Sequence, residues 1–327
     1  MSQQMATNWF DCISSDLLQV EEVMAEITDR ADNPLLKEMC DYVLSNHGKR
    51  VRPSICLLSY YALGGKEPKR AIDIDAAIEI IHNATLIHDD INDEGELRRG
   101  AKALYRQYSL GRSIVAGDFL FALGFQLMGA TSNEVVNFVI DAATAMGSGE
   151  FDQKKFEHNK AVTEEEYINI ISGKTARLIE CASKCGAYLA CPHDLEKVER
   201  LGNYSYNLGL AFQIIDDLLD VIGDTNNTGK RVGNDLVEGK PTLPTIYGME
   251  DPVHGTRIRE IFENVGTDYD LAHEAIEHIK QTDSVERCFA LANHYADLAL
   301  GYLEPLEDST YKQALIEFTK FIVSRDR

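Results

Sequence analysis

From Pro68 to Pro192 the chain runs without a proline, and through most of that stretch apolar residues return at helical spacing. That period marks helices with a buried face, because side chains at i, i+3 and i+4 share one side. Pro34, Pro53 and Pro68 punctuate the chain before it, and Pro241 and Pro244 interrupt the second half. Alternating runs of Val, Ile, Thr and aromatics between turns, the mark of strands, are nearly absent. The pattern predicts about ten or more helices in one all-α domain spanning residues 1–327, a single large helical bundle. Connections are expected at 64–68, 224–229 and 248–255, where glycine, proline and small polar residues gather. No internal repeat of fixed period and no low-complexity tract is present. The most apolar stretch, Ile114 to Ala130, has only 17 residues and contains Asp118. A membrane helix needs roughly 20 apolar residues, so this stretch is expected to be a buried helix and no stable membrane span is expected.

At 327 residues the chain buries a substantial core, and 44% hydrophobic with 26% charged residues fits a soluble globular protein. The net charge of −21 argues against nucleic acid or an anionic membrane as a surface partner, since both call for clustered Lys and Arg. The 7 cysteines are an odd number, widely scattered and without a Cys-x-x-Cys. They read as small buried thiols in a reducing cytosol rather than as disulfides or zinc ligands. The N-terminal residues show no basic stretch followed by an apolar run, so no secretory signal is visible and a cytoplasmic location is expected.

Two acidic signatures carry the chemistry. His88-Asp89-Asp90-Ile91-Asn92-Asp93 and Gln213-Ile214-Ile215-Asp216-Asp217-Leu218-Leu219-Asp220 share Asp-Asp-x-x-Asp. On a helix the outer aspartates of each signature stand one turn apart and point the same way. Carboxylate oxygens are hard ligands, and Mg²⁺ commonly takes one or two of them together with substrate phosphate oxygens. Two such pairs across a helical cavity would hold Mg²⁺ around one diphosphate. The plainer reading is a solvated acidic face. The flanks oppose it: Ile78, Ile80, Ile81, Leu86 and Ile87 precede Asp89, and Leu208, Leu210, Phe212, Ile214 and Ile215 precede Asp216. Carboxylates that end largely apolar segments look like the lip of a pocket.

A diphosphate also needs cations, and an acidic chain repels it unless metals reverse the local sign. Lys49, Arg50 and Arg52 crowd the segment Gly48–Pro53, and Arg98-Arg99 follow the first signature. Gly173-Lys174-Thr175 opens an apolar helical run, while Lys230 and Lys240 follow the second signature. Each Gly-Lys pair alone is weak, but all accompany the same two acidic motifs, and arginine forks suit phosphate. His82 lies two turns before Asp89 on one face, either a satisfied core histidine or a ligand. Gln213, about one turn before Asp216, either donates its amide to a ligand or serves packing.

In these residues, from about Gly48 to Pro244, the chain resembles the trans-isoprenyl diphosphate synthases, the polyprenyl synthetase family. Gly48-Lys49-x-x-Arg52-Pro53, His82 to Asp93, Leu97–Gly100, Gly173–Ala176, Phe212–Asp220 and Gly229-Lys230-x-x-Gly233-x-Asp235 follow that family's motif order. Two departures are visible: His47 where a second glycine is usual, and Lys102-Ala103 where Pro-Thr is common. Neither removes a charged position. The resemblance implies the isoprenoid synthase fold, a bundle around a central elongation cavity, and a homodimer. It implies that Asp89, Asp93 and Asp216, supported by Asp90, Asp217 and Asp220, coordinate Mg²⁺ on an allylic diphosphate. Arg98, Lys174, Thr175, Gln213 and Lys230 would hold that substrate, with Lys240 nearby. Lys49, Arg52, His82 and Arg99 would hold isopentenyl diphosphate. The implied catalytic set is Asp89, Asp93, Lys174, Asp216 and Lys230, in a Mg²⁺-dependent prenyltransferase.

The growing tail is expected to run from the metals along the helix of Asp89. Ala84 and Thr85, five and four residues before Asp89, are small and leave it room to reach the level of Ile81 and Ile78. A geranylgeranyl or longer product is therefore expected, with a farnesyl synthase as the shorter alternative. A terpene cyclase would need no second diphosphate site, yet Lys49, Arg52 and His82 are present. A di-iron bundle needs a second Glu-x-x-His beside Glu79–His82, and no other histidine has Glu three residues before it. A non-catalytic partner subunit usually lacks one aspartate motif, and both are intact here.

Overall fold

The computed structural model describes residues 8–45, 50–129, 131–223 and 232–324. Contacts divide the chain into two compact units: residues 1–139, 181–202 and 305–318 form the first, and 140–180, 203–304 and 319–327 the second.

The first unit opens with α1 (Ser14–Ile27), α2 (Pro34–Leu44), α3 (Val51–Ala62) and α4 (Lys69–Asn92). Asn33 caps α2, its side chain accepting from the Leu35 and Leu36 N–H groups, with Pro34 preset for the first turn. α4 buries residues on all its sides, from Ala71 and Ile72 to Ile81, Ala84 and Ile87, as a helix at the centre of a bundle does. It packs on α1, α3 and, most extensively, α6 (Leu110–Met128).

Glycine makes the α4–α6 contact close. A Cβ at Gly117 would lie 2.4 Å from the His88 Nε2, and one at Gly124 would lie 2.6 Å from the Ile81 Cγ1. Each pair is seven residues apart on its own helix and runs in the opposite sense, so the helices are antiparallel. Between α4 and α6 lie a β-ladder, β1 (Leu97–Arg98) and β2 (Ala101–Lys102), and the short α5 (Leu104–Gln107). Arg99 and Gly100 both have positive φ (51° and 80°) in its two-residue turn, the backbone that suits a tight hairpin.

α6 corrects one expectation. It is long and apolar enough to cross a membrane, but only 33% of its apolar window is buried. Leu110, Ile114, Val115 and Phe125 stay exposed, so the helix is not the buried one its composition predicted.

The second unit takes residues 140–156 of α7 (Asn133–Phe156), then α8 (Glu164–Ile171). Thr163 and Glu166 form a capping box at the start of α8, an arrangement worth about 1 kcal/mol. A π-helical turn, Ser172–Ala176, separates α8 from α9 (Arg177–Ala190). Residues 203–222 of α10 (Leu195–Ile222) follow, then the short α11 (Asn234–Val237), α12 (Leu243–Glu250), α13 (Gly255–Asn264), α14 (Tyr269–Ile279) and α15 (Ser284–Leu303). The unit's core joins Tyr167, Ile171 and Ala176 to Ile214, Leu218, Leu243, Tyr247 and Cys288. α16 (Thr310–Ser324) closes the described chain.

The glycine-rich turn at 64–68 falls between α3 and α4 as expected. The loop expected at 248–255 is shorter, since α12 continues through Gly248 to Glu250. The turn expected at 224–229 lies outside the described residues.

Candidate active site

In the first unit α4 delivers the first signature at its C-terminal end. Asp89 and Asp90 sit in the last turn, and Asp93 caps the helix, donating its N–H to the Asp89 carbonyl at 2.8 Å. The outer pair therefore keeps helical stacking although α4 ends at Asn92. Asp90 turns inward and is 4% exposed. Arg98 grips one of its oxygens through Nε at 2.7 Å and through Nη2. Burial works against the Arg98 charge, but Asp90, then Asp89 and Asp93, outweigh it and raise the guanidinium pKa.

A second cluster lies two to three turns earlier on α4, at the start of α3 and in the β1–β2 hairpin. Burial lowers the Arg52 pKa to about 10, with Arg99 adding to the fall and Glu79 opposing it. Arg99 is also lowered, first by burial and then by Arg50 and Arg98, again against Glu79. Burial and then Arg52, Arg99, Arg98 and Arg50 hold His82 well below its ordinary range, so its imidazole is neutral near pH 7. The buried Arg52 Nε has no hydrogen-bond partner among the described residues. Cations that crowd one another around an unmet donor form an anion site. Glu79, 2% exposed, is their counterweight and binds Arg50 at 3.2 Å, which Glu21 also holds at 2.7 Å. Sequence reasoning missed Glu21 as a partner and read Glu79 only as half of an iron motif. Its place three residues before His82, on the same side of α4, was the available signal. Lys49 lies outside the described residues.

In the second unit the second signature lies on α10. Asp217 is 8% exposed. One oxygen accepts from the Tyr167 hydroxyl and the other from the Gln213 Nε2, both at 2.7 Å. Thr175 in turn donates to the Gln213 Oε1 at 2.7 Å. The chain Thr175–Gln213–Asp217–Tyr167 therefore gives the Gln213 amide one protein partner at each end. Its NH2 group keeps a second N–H. Burial and Asp235 push the Asp217 carboxyl up to about 8, although Tyr167 and Gln213 pull it back.

Asp220 accepts from the Asn234 N–H at 3.2 Å and the Asp235 N–H at 3.0 Å, so it caps α11. No hydrogen bond or ion pair holds the Asp216 carboxylate among the described residues. Lys174 stands in the π turn, 2.8 Å from the Gln153 Oε1 and 2.5 Å from the Glu150 Oε2. Lys240 pairs with Glu238 at 2.5 Å. Its loop depends on Gly239, whose φ is +69° and whose Cβ would sit 2.2 Å from the His158 ring. Lys230 lies outside the described residues.

The structure thus gathers Arg52, His82 and Arg99 in one unit and Thr175, Gln213 and Asp217 in the other. Among the described residues, no group of three or more His, Cys, Asp or Glu holds a metal by itself. Mg²⁺ fits such a donor set, because it takes one or two carboxylates and fills its shell with water and phosphate oxygens.

An all-α fold with two Asp-Asp-x-x-Asp helices and a separate cation cluster defines an isoprenoid synthase. The sequence profile of the polyprenyl synthetase family matches residues 33–279. An octaprenyl diphosphate synthase of Escherichia coli is 37% identical over 91% of this chain and 92% of its own length. A geranylgeranyl diphosphate synthase of Saccharolobus solfataricus is 32% identical over 95% and 99%. A polyprenyl synthase of Caulobacter crescentus, solved with calcium and isoprenyl diphosphate, superposes with a TM-score of 0.92 at 31% identity, covering 98% of this chain and 97% of that one. The chain belongs to the polyprenyl synthetase family, and it is a trans-prenyltransferase.

Proposed function

We propose that this chain condenses isopentenyl diphosphate with an allylic diphosphate, with Mg²⁺ required, to make a geranylgeranyl or longer polyprenyl diphosphate. The observation that carries the reading is the paired signature, each copy with its middle aspartate committed to protein. On this reading Asp89, Asp93 and Asp216 hold Mg²⁺ on the allylic diphosphate, Asp89 and Asp93 one helical turn apart at the end of α4. When bound, the metal supplies positive charge against the leaving group. Lys174 and Lys240 add ammonium charge to the same diphosphate, where negative charge grows as its bond to the allylic carbon breaks.

Arg52, Arg99 and the neutral His82 hold isopentenyl diphosphate, the arginines by charge and the imidazole by a single N–H. Holding the two reactants together lets the isopentenyl double bond attack the allylic carbon as the diphosphate leaves. Loss of a proton, taken up by the departed diphosphate, restores an alkene. No protein nucleophile enters this scheme.

Product length rests on Ala84 and Thr85. Ala84 is fully buried on the face of α4 that meets α6, between Ile81 and His88. Thr85 keeps some exposure. With no bulky side chain at either position, nothing there stops a tail at farnesyl length. The names of the relatives, geranylgeranyl and octaprenyl diphosphate synthases, support the same range.

We assign a homodimer on the exposed apolar side of α6, a surface rich enough in Leu, Ile, Val and Phe to need a cover. The cytoplasmic assignment is supported by cysteines that are all free, Cys181 and Cys185 remaining unbonded with their sulfurs 3.9 Å apart. The test is incubation with labelled isopentenyl diphosphate, allylic primers of increasing length and Mg²⁺, followed by sizing of the dephosphorylated products. Chains of geranylgeranyl length or longer are expected. No incorporation with any primer would refute the reading.

A further inference from the structure

Lys174 owes its place to two features that its own motif does not contain. The π turn Ser172–Ala176 widens the helical backbone at this point, a device common at functional sites. α7 then comes against it backbone to backbone. A Cβ at Gly149 would fall 2.8 Å from the Lys174 N, and one at Gly173 would fall 2.7 Å from the Ala145 carbonyl oxygen. Glycine at both positions lets the next residue of α7, Glu150, and Gln153 one turn on, reach the ammonium from one side.

Their chemistry is specific. The Gln153 Oε1 accepts from Nζ at 2.8 Å, and the Glu150 Oε2 stands 2.5 Å away as an ion pair. The side chains of Glu150 and Lys174 are 15% and 21% exposed. Among the described residues neither Glu150 oxygen meets the geometry of a hydrogen bond, leaving the ion pair with Lys174, and the buried Gln153 Nε2 has no partner. A carboxylate buried this far, with one cation as its partner among the described residues, is costly to keep. An ammonium has three N–H donors; one goes to Gln153, and the charge is pinned by Glu150. The long lysine stem therefore loses its rotamer freedom before any ligand arrives.

We propose that Glu150, with Gln153, is a positioning residue for Lys174, fixing the ammonium where the allylic diphosphate docks. The inference rests on the reading of Lys174 as a ligand of that diphosphate. It adds two residues of α7 to the machinery.

Steady-state kinetics with Mg²⁺, isopentenyl diphosphate and geranyl diphosphate test it, on Glu150→Ala, Glu150→Gln, Lys174→Ala and the Glu150→Ala/Lys174→Ala pair. Glu150→Ala is expected to raise the allylic KM roughly tenfold, the usual scale for losing a partner of a charged group. The isopentenyl KM should stay within about twofold. Glu150→Gln keeps an acceptor oxygen and should recover most of the loss. On the Lys174→Ala background, Glu150→Ala should add nothing further. An allylic KM unmoved by Glu150→Ala, an equal rise in both KM values, or full additivity with Lys174→Ala would overturn the proposal. Should Glu150→Ala not fold, Glu150→Gln carries the same cycle: a few-fold allylic effect that vanishes without Lys174 supports the proposal, and no effect overturns it. A wild-type protein that makes no product would instead fell the reading of Lys174, and this inference with it.

Discussion

The two copies of Asp-Asp-x-x-Asp meet different surroundings, and the contrast lies in the middle residue. Asp90 is held by a cation, Arg98, and so is neutralised while ionised. Asp217 is held by two neutral donors, Tyr167 and Gln213, and burial with Asp235 nearby pushes its carboxyl up to about 8. One motif is thus built around a salt bridge and the other around a hydrogen-bonded carboxyl near neutrality. The outer residues differ as well. Asp93 ends its helix, whereas Asp220 spends its oxygens on the backbone of α11. A shared pattern therefore sets which carboxylates stand on one face, and the environment sets what each middle carboxylate is bonded to.

The largest expected effect asks whether the two copies are equal partners in catalysis. Asp89→Ala and Asp216→Ala should each lower kcat/KM roughly 10³-fold or more, the scale of losing a principal electrostatic contribution to the transition state. A loss confined to one of them would break the symmetry of function while leaving the symmetry of sequence.

Next comes stability. Asp90→Asn strips Arg98 of its counter-charge and should cost about 2 kcal/mol, discounted because Arg98 is partly exposed. Asp217→Asn, measured without metal by urea denaturation, should cost less than about 1 kcal/mol, since it also relieves the repulsion from Asp235. Equal costs would erase the distinction between the two middle aspartates.

The regions also respond to pH in opposite senses. His82 binds its proton less readily in the folded chain than when unfolded. Its contribution is therefore intact above the unfolded pKa of roughly 6.5 and is lost as pH falls below it. Asp217, held up instead of down, loses stability as pH rises toward its folded value. His82→Gln should flatten the fall in urea midpoint between about pH 6.5 and 5. An unchanged slope would remove His82 from the acid limb.

The smallest effect concerns product, not rate. Ala84→Tyr should shorten the chain released, read from the size of the dephosphorylated product, with condensation itself retained. An unchanged product spectrum would put the limit on tail growth elsewhere.

Much of this was legible in the chain, and for a physical reason. The 3.6-residue period reports which side of a helix is buried, so α4 and α10 and the stacking of Asp89 on Asp93 followed from spacing alone. The period does not report partners. The spacing places Arg98 beside the first signature but does not show that a positive-φ hairpin at Arg99 and Gly100 folds it back on Asp90. Nor does the spacing show that Gln213 bridges Thr175 and Asp217. Glu150 and Gln153 gave no signal, because their meaning depends on a π turn and a glycine contact between segments distant in the chain. α6 misled by composition: an apolar helix need not be an inner one, and this one keeps Leu110, Ile114, Val115 and Phe125 exposed.

The central claim, that both aspartate motifs act through Mg²⁺ to remove a diphosphate as isopentenyl units are added, is tested most directly by pyrophosphate release. Enzyme, geranyl diphosphate and Mg²⁺ are mixed, isopentenyl diphosphate is added, and released pyrophosphate is followed against carbon incorporated. The account predicts one pyrophosphate for each five-carbon unit joined, with release abolished by a chelator. Release that ignores isopentenyl diphosphate, or that continues at full rate in the chelator, would contradict it.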